Sequence, residues 1–172
     1  MYDASRNATL AGVLVAVTGA LAWVTGRPLI FPSLGPTAYV LAVRPTAPVA
    51  QPRRVVGGHA FGVVAGLVAI SLFSPDVAVT AELAPLSESG LRLAGSGVLA
   101  TVLTAGGMLA TDLRHAPACA TTLIVSLGLL STLSDAGAIM AAVAVLVAVH
   151  AVGRTLGRAV DSPRSDATPW PW

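Results

Sequence analysis

Charged residues divide the chain into six uncharged stretches, 7–26, 28–43, 55–75, 93–111, 115–134 and 136–153, each 16 to 21 residues long. About 20 apolar residues at 1.5 Å rise cross a hydrocarbon core of roughly 30 Å, so the pattern predicts a polytopic, all-α helical bundle in a membrane. Four stretches read as plain spans. The other two are interrupted: 28–43 carries Pro28, Pro32, Gly35 and Pro36, and 115–134 opens on His115-Ala116-Pro117 directly after Asp112 and Arg114. These two predict broken or re-entrant helices, which lipid tolerates only where the freed backbone is buried in protein or lines a cavity.

Composition agrees and narrows the picture. The 172 residues are 55% hydrophobic and 10% charged, with a mean hydropathy of +0.79, against roughly 25% charged in a soluble domain; a large aqueous domain is excluded. The first apolar stretch is too long for a signal peptide and lacks a distinct cleavage pattern, so it reads as a retained span. Arginine placement then selects a topology, because cytoplasmic loops are enriched in basic residues. If all six stretches cross, eight Arg lie on the side of the N-terminus and only Arg27 and Arg92 on the other. If the two broken stretches dip and return, the Arg divide five against five. Six crossings with both termini cytoplasmic is therefore the expectation, in a cell membrane.

Six crossings fall into two sets of three. A shift of 81 residues lays 7–26 on 88–107, 28–43 on 109–124 and 55–75 on 136–156 without a gap, and matches Gly26 to Gly107 and Pro36 to Pro117. An odd number of crossings per set makes the halves inverted. Gly/Pro-interrupted segments at corresponding positions of two halves are the sequence pointer to a transporter site. The expected organisation is one transmembrane domain: repeat one 7–75, a linker 76–87, repeat two 88–156, and a loose tail 157–172.

The ten basic residues are all Arg and are scattered through short intervals, which leaves no footprint for nucleic acid. Cys119 cannot form an intrachain disulfide. With His59 and His115 it makes an incomplete zinc set, lacking a carboxylate or a second Cys, so neither a metal nor another cofactor is expected.

Three segments carry a family resemblance: Phe31-Pro-Ser-Leu-Gly-Pro-Thr-Ala38, then Pro45 through Gln51-Pro-Arg-Arg-Val-Val-Gly-Gly-His59, then His115-Ala-Pro-Ala-Cys-Ala-Thr121. In order and spacing they resemble the signature regions of the HPP family of integral membrane proteins, the eponymous His-Pro-Pro being His115-Ala116-Pro117 here. The resemblance implies four transmembrane helices, which agrees with six uncharged stretches if the two broken ones are not counted as spans. It also implies anion transport, since plastid and cyanobacterial members are associated with nitrite.

The residues themselves point to a small anion. Helices beginning at Pro36 and Pro117 would present first N–H groups at Thr37, Ala38, Ala118 and Cys119, with Ser33 or Gly35 placed to cap; proline suits the first helical position. Each N-terminus is equivalent to roughly half a positive charge, so two of them near the midplane could hold a monoanion with no fixed full charge. The expected site is walled by Ser33, Gly35, Thr37, His59, His115, Ala118 and Thr121. Either histidine could carry a coupled proton, or could equally be a neutral side chain bonded to a nearby carbonyl. Gln51, Arg53, Arg54, Asp112 and Arg114 form a candidate vestibule or gate, the last two placed to pair. Gly58, Gly62 and Gly66 recur every four residues and read as a close-packing stripe.

The function expected is thus a transporter or channel for a small inorganic anion, nitrite by resemblance, working in the lipid bilayer. Homo-oligomerisation stays open. The rival from another class is a membrane-embedded enzyme or sensory module using His59 or His115. No Ser/His/Asp set or paired acids support catalysis, and no enzymatic activity is expected.

Overall fold

The computed structural model describes residues 4–160; of the expected loose tail 157–172, residues 157–160 instead continue the last helix, and the rest lies outside the described residues. The elements are α1 (Ala4–Thr25), α2 (Leu34–Val43), a short 3-10 helix (Pro48–Ala50), α3 (Pro52–Phe73), α4 (Glu88–Ala110), α5 (Ala118–Ser126) and α6 (Leu133–Val160). Among the described residues there is no strand. The expected all-α membrane bundle is the observed fold. Four helices, α1, α3, α4 and α6, are long and apolar enough to cross a bilayer. At 1.5 Å per residue the 10 residues of α2 and the 9 of α5 reach only about 15 Å and 13 Å, half a membrane.

Local chemistry sets these limits. Gly26 takes a left-handed φ of +65° and its N–H returns to the Ala22 carbonyl, ending α1 as glycine C-caps do. Pro52 starts α3, where its missing N–H costs nothing. Ser87 caps α4 by accepting from the Gly90 N–H at 3.2 Å. At the start of α6 the Asp135 N–H donates to Thr132 Oγ1 while Asp135 Oδ2 accepts the Thr132 N–H, both at 3.1 Å, a reciprocal capping box.

Contacts between the ends of the helices trace the chain. Arg154 at the end of α6 donates to the Pro45 carbonyl; Arg54 at the start of α3 pairs with Asp112 after α4; Arg6 and Asn7 line one groove with Pro45 and Arg154. These residues share one end of the bundle. At the other end Arg27 donates to Ser134 Oγ and the Val79 N–H to the Leu127 carbonyl. The chain therefore passes between the two ends six times. Four passages are single helices. The other two are composite, an irregular segment before α2 and another after α5 completing what the half-helices leave short. This resolves the difference between four spans and six stretches.

Of the four long helices α3 is the most enclosed, and it packs on α4, α5 and α6. Its glycines face α5 at very short range: a Cβ on Gly58 would lie 2.9 Å from His115 Cβ, on Gly62 2.8 Å from the Ala118 carbonyl oxygen, and on Gly66 2.6 Å from Val125 Cβ. The expected packing stripe is thus the bed on which the half-helix α5 lies, parallel to α3. In lipid no hydrophobic force draws helices together, so such backbone approach is what holds them. Leu34, Leu41, Val55, Ile139, Val143 and Leu146 close the adjoining core. Trp23, Val64, Leu72, Val98, Val102 and Leu109 are exposed on the outside, an apolar surface fit for lipid.

Candidate functional site

Five fully buried polar side chains meet where α2, α3 and the entry to α5 converge: Ser33 and Thr37 from α2 and its cap, His59 from α3, and His115 and Thr121 from the entry and body of α5. Thr37 is the hub. Its Oγ1 lies 3.0 Å from His59 Nε2, 3.2 Å from His115 Nε2 and 2.9 Å from the Ser33 carbonyl oxygen. His59 Nδ1 lies 2.7 Å from Thr121 Oγ1, which is 2.7 Å from Ser33 Oγ. His115 Nδ1 donates to the Val49 carbonyl in the 3-10 helix at 2.8 Å. The imidazole centroids stand 5.3 Å apart.

The fold explains this convergence. Because α2 runs against α3 while α5 runs along it, the two half-helices meet with their N-terminal ends together beside α3. Gly58 removes the side chain that would keep His115 away from α3, and Pro117 at the N-cap of α5 turns the chain from the descending α4 back into the bundle. The histidine before that turn is carried inward to the α3 surface.

Of the seven expected site residues, the structure brings five into one hydrogen-bonded cluster. Ala118 is buried beside it, in the first turn of α5. Gly35 is on the opposite, exposed face of α2, with open space where its side chain would be. The backbone donors differ from expectation. Helix α2 starts at Leu34, two residues before Pro36, so the Thr37 N–H already bonds the Ser33 carbonyl at 3.3 Å. At α5 a tight turn gives the Ala118 N–H to His115 O and the Cys119 N–H to Ala116 O, both at 3.0 Å. These amides, expected as orphan donors, have partners inside the chain. The remaining donors are hydroxyls and imidazoles, whose partners are side chains of the cluster itself and two backbone carbonyls.

At the bundle end nearest this cluster, Asp112 pairs with Arg54, Arg53 and Arg114. The expected Asp112–Arg114 pairing is present, at 3.5 Å, with both side chains more than half exposed. Asp112 has a left-handed φ of +55°, a conformation Asp adopts more readily than most residues. Gln51 caps α3 at the same end, exposed. Three guanidinium groups against one carboxylate leave the mouth positively charged.

A second polar seam lies between α4 and α5. Thr104 Oγ1 is 2.8 Å from Thr122 Oγ1, and Ser96 Oγ donates to the Ser126 carbonyl at 2.8 Å. Its signal in the sequence is the spacing: Ser96, Ala100, Thr104 and Met108 fall four apart on the buried face of α4, as Ala118, Thr122 and Ser126 do on α5. The Val49 carbonyl has no such signal.

A polytopic helical membrane protein with paired half-helices and a buried polar cluster is the class that fold and site define. The chain belongs to the HPP family: the family described as HPP, transmembrane region, matches residues 2–161. No curated protein and no solved structure matches it.

Proposed function

We propose that this chain carries a small inorganic monoanion across the membrane as a transporter or channel, with Ser33, Thr37, His59, His115 and Thr121 as its binding site. The observation that carries the reading is the cluster itself. Hydroxyls and imidazoles, fully buried and bonded to one another, are donors that an anion would take over from these internal contacts, and among the described residues none of the hydrogen bonds or ion pairs joins either imidazole to a carboxylate. Intramembrane ionisable groups mark ion and substrate pathways, and a weakly charged site lets the anion leave. Positive charge at the Arg53–Arg54–Arg114 mouth would raise the local anion concentration. Nitrite is the substrate that family resemblance favours, and fold resemblance alone does not fix a substrate.

The long–short–long order of helices in each half, with α2 and α5 running in opposite directions, supports two inverted repeats, 7–75 and 88–156. The Arg-rich end is assigned to the cytoplasm of a cell membrane by the excess of basic residues there. Flux into proteoliposomes tests the function: nitrite, nitrate and chloride are each offered to vesicles with protein and without. Protein-dependent entry that one of these anions saturates is the expected result. Entry equal to that of protein-free vesicles for all three would overturn it.

A further inference from the structure

We propose that the cluster binds one proton together with one monoanion, the proton residing on His115 and the Thr37 hydroxyl switching between the two states. The proposal rests on the anion site above and names its coupling ion.

The argument is an inventory of donors and acceptors. A carbonyl only accepts, so the 2.8 Å contact with Val49 requires a hydrogen on His115 Nδ1. The Ser33 carbonyl also only accepts, so when the Thr37 hydroxyl donates to it at 2.9 Å, Thr37 has no hydrogen left for its other neighbours. Both Nε2 atoms, at 3.0 and 3.2 Å, must then donate to Thr37 Oγ1. That makes His115 an imidazolium, with hydrogens on both nitrogens. His59 stays neutral: its Nε2–H donates to Thr37, and its Nδ1 accepts from the Thr121 hydroxyl, which in turn accepts from Ser33 Oγ.

Removing the proton leaves His115 Nε2 bare, an acceptor. The Thr37 hydroxyl then turns from the Ser33 carbonyl to His115 Nε2, and the Ser33 carbonyl keeps the Thr37 backbone N–H. With no anion bound every group has a partner in both states, with one hydroxyl rotation between them, and a bound anion takes the place of one of these internal acceptors. Unpaired polar groups in such a site cost several kcal/mol, so a site closed in either state is suited to take up and release a proton.

Among the described residues the charge lacks a partner. From α2 the cluster receives Ser33 and Thr37, from α5 Thr121, and from the 3-10 helix a carbonyl, none of which carries charge. On α4, Thr104 bonds Thr122, and α6 contributes Ile139, Val143 and Leu146 to the core. Its charged and titratable groups lie at its ends, Asp135 on Thr132 and His150 beside Arg154 in the outer groove. Arg54, Asp112 and Arg114 are bound to one another. His59 is the one titratable group within the cluster, and a second positive charge 5.3 Å away would be repelled, so the pair holds one proton. A buried imidazolium needs a negative partner, and the anion supplies it. Each ligand thus favours the other, and linkage makes the coupling reciprocal.

Titration calorimetry on the full chain in detergent, with sodium nitrite at pH 7 in two buffers of different ionisation enthalpy, counts the protons taken up. The expected result is about one proton per anion, with affinity falling about tenfold for each unit of pH above neutrality. Thr37→Val and His115→Gln should lose the proton uptake. Wild-type binding with no proton uptake and a flat pH profile would overturn the proton while leaving the anion site. Undiminished uptake in His115→Gln would remove the proton from His115. Absence of nitrite, nitrate and chloride binding, together with absence of flux, would overturn the site itself.

Discussion

Gly58 and His115 approach more closely than any residue with a Cβ at position 58 would allow: a Cβ on Gly58 would lie 2.9 Å from the Cβ of His115 and 3.3 Å from that of Ala118. One absent methyl group thus sets how deeply the turn before α5 sits against α3. Overpacking a tight interior costs about 1–3 kcal/mol, so Gly58→Ala should lower thermal stability in detergent and weaken nitrite binding together, since it displaces His115 from Thr37. Gly12 on α1 has nothing within 4 Å of such a Cβ. Gly12→Ala should be neutral or slightly stabilising, by up to about 1 kcal/mol of helix propensity. Equal melting temperatures for the two variants would contradict this packing account.

Thr37 is the side chain on which both imidazoles converge, and its hydroxyl is needed whatever its methyl group does. Thr37→Val preserves shape but strips two Nε2 atoms of their shared partner; an unsatisfied buried group costs about 1–3 kcal/mol. Thr37→Ser keeps the oxygen. The expected order of nitrite affinity is wild type, then Ser close behind, then Val at least tenfold weaker, read by calorimetry. Affinity in Thr37→Val equal to wild type would place the anion away from this hydroxyl.

Much of this architecture was legible in the sequence because the physics behind it is local. Uncharged stretches report spans, and the prolines and glycines at 28–36 and 115–117 report breaks. Ser33, Thr37, His59, His115 and Thr121 stood out as polar groups at or beside the two breaks and early in the third apolar run, and they do meet. What was not legible depends on register between distant segments. Placing the start of α2 at Pro36 left the Thr37 amide free; the helix starts at Leu34, and proline in the first turn tolerates either start. Gly35 was included by proximity in sequence, but the 100° step of a helix turns it to the face opposite Leu34 and Thr37. The Val49 carbonyl that fixes the His115 tautomer is a backbone atom, and sequence patterns do not distinguish one carbonyl from another.

The six passages make a topological prediction. Pro48 stands at the bundle end that holds Arg54, and Leu86 precedes the Ser87 cap of α4 at the other end, fully exposed. In a Cys119→Ser background, cysteines introduced at 48 and 86 should label from opposite sides of intact vesicles with a membrane-impermeant maleimide. Labelling of both from one side would require α3 to return without crossing.

The charged mouth should act on rate and apparent affinity through salt-sensitive electrostatics. Asp112 is the carboxylate shared by Arg53, Arg54 and Arg114, and its neutralisation frees three guanidinium groups to attract an incoming anion. Asp112→Asn keeps the size of the side chain and suits the left-handed backbone at this position, so the fold should be retained. Surface ion pairs contribute little to stability, and the larger effect falls on encounter. For entry from the Arg-rich side, Asp112→Asn should lower the apparent KM for nitrite several-fold at about 10 mM salt, where the Debye length is roughly 30 Å, and approach wild type at about 1 M, where it is roughly 3 Å. Arg53→Gln should shift KM in the opposite direction with the same salt dependence. Initial-rate flux measurements across that salt range decide the matter: a KM that stays at the wild-type value in low salt for both variants would deny this end of the bundle any part in gathering the anion.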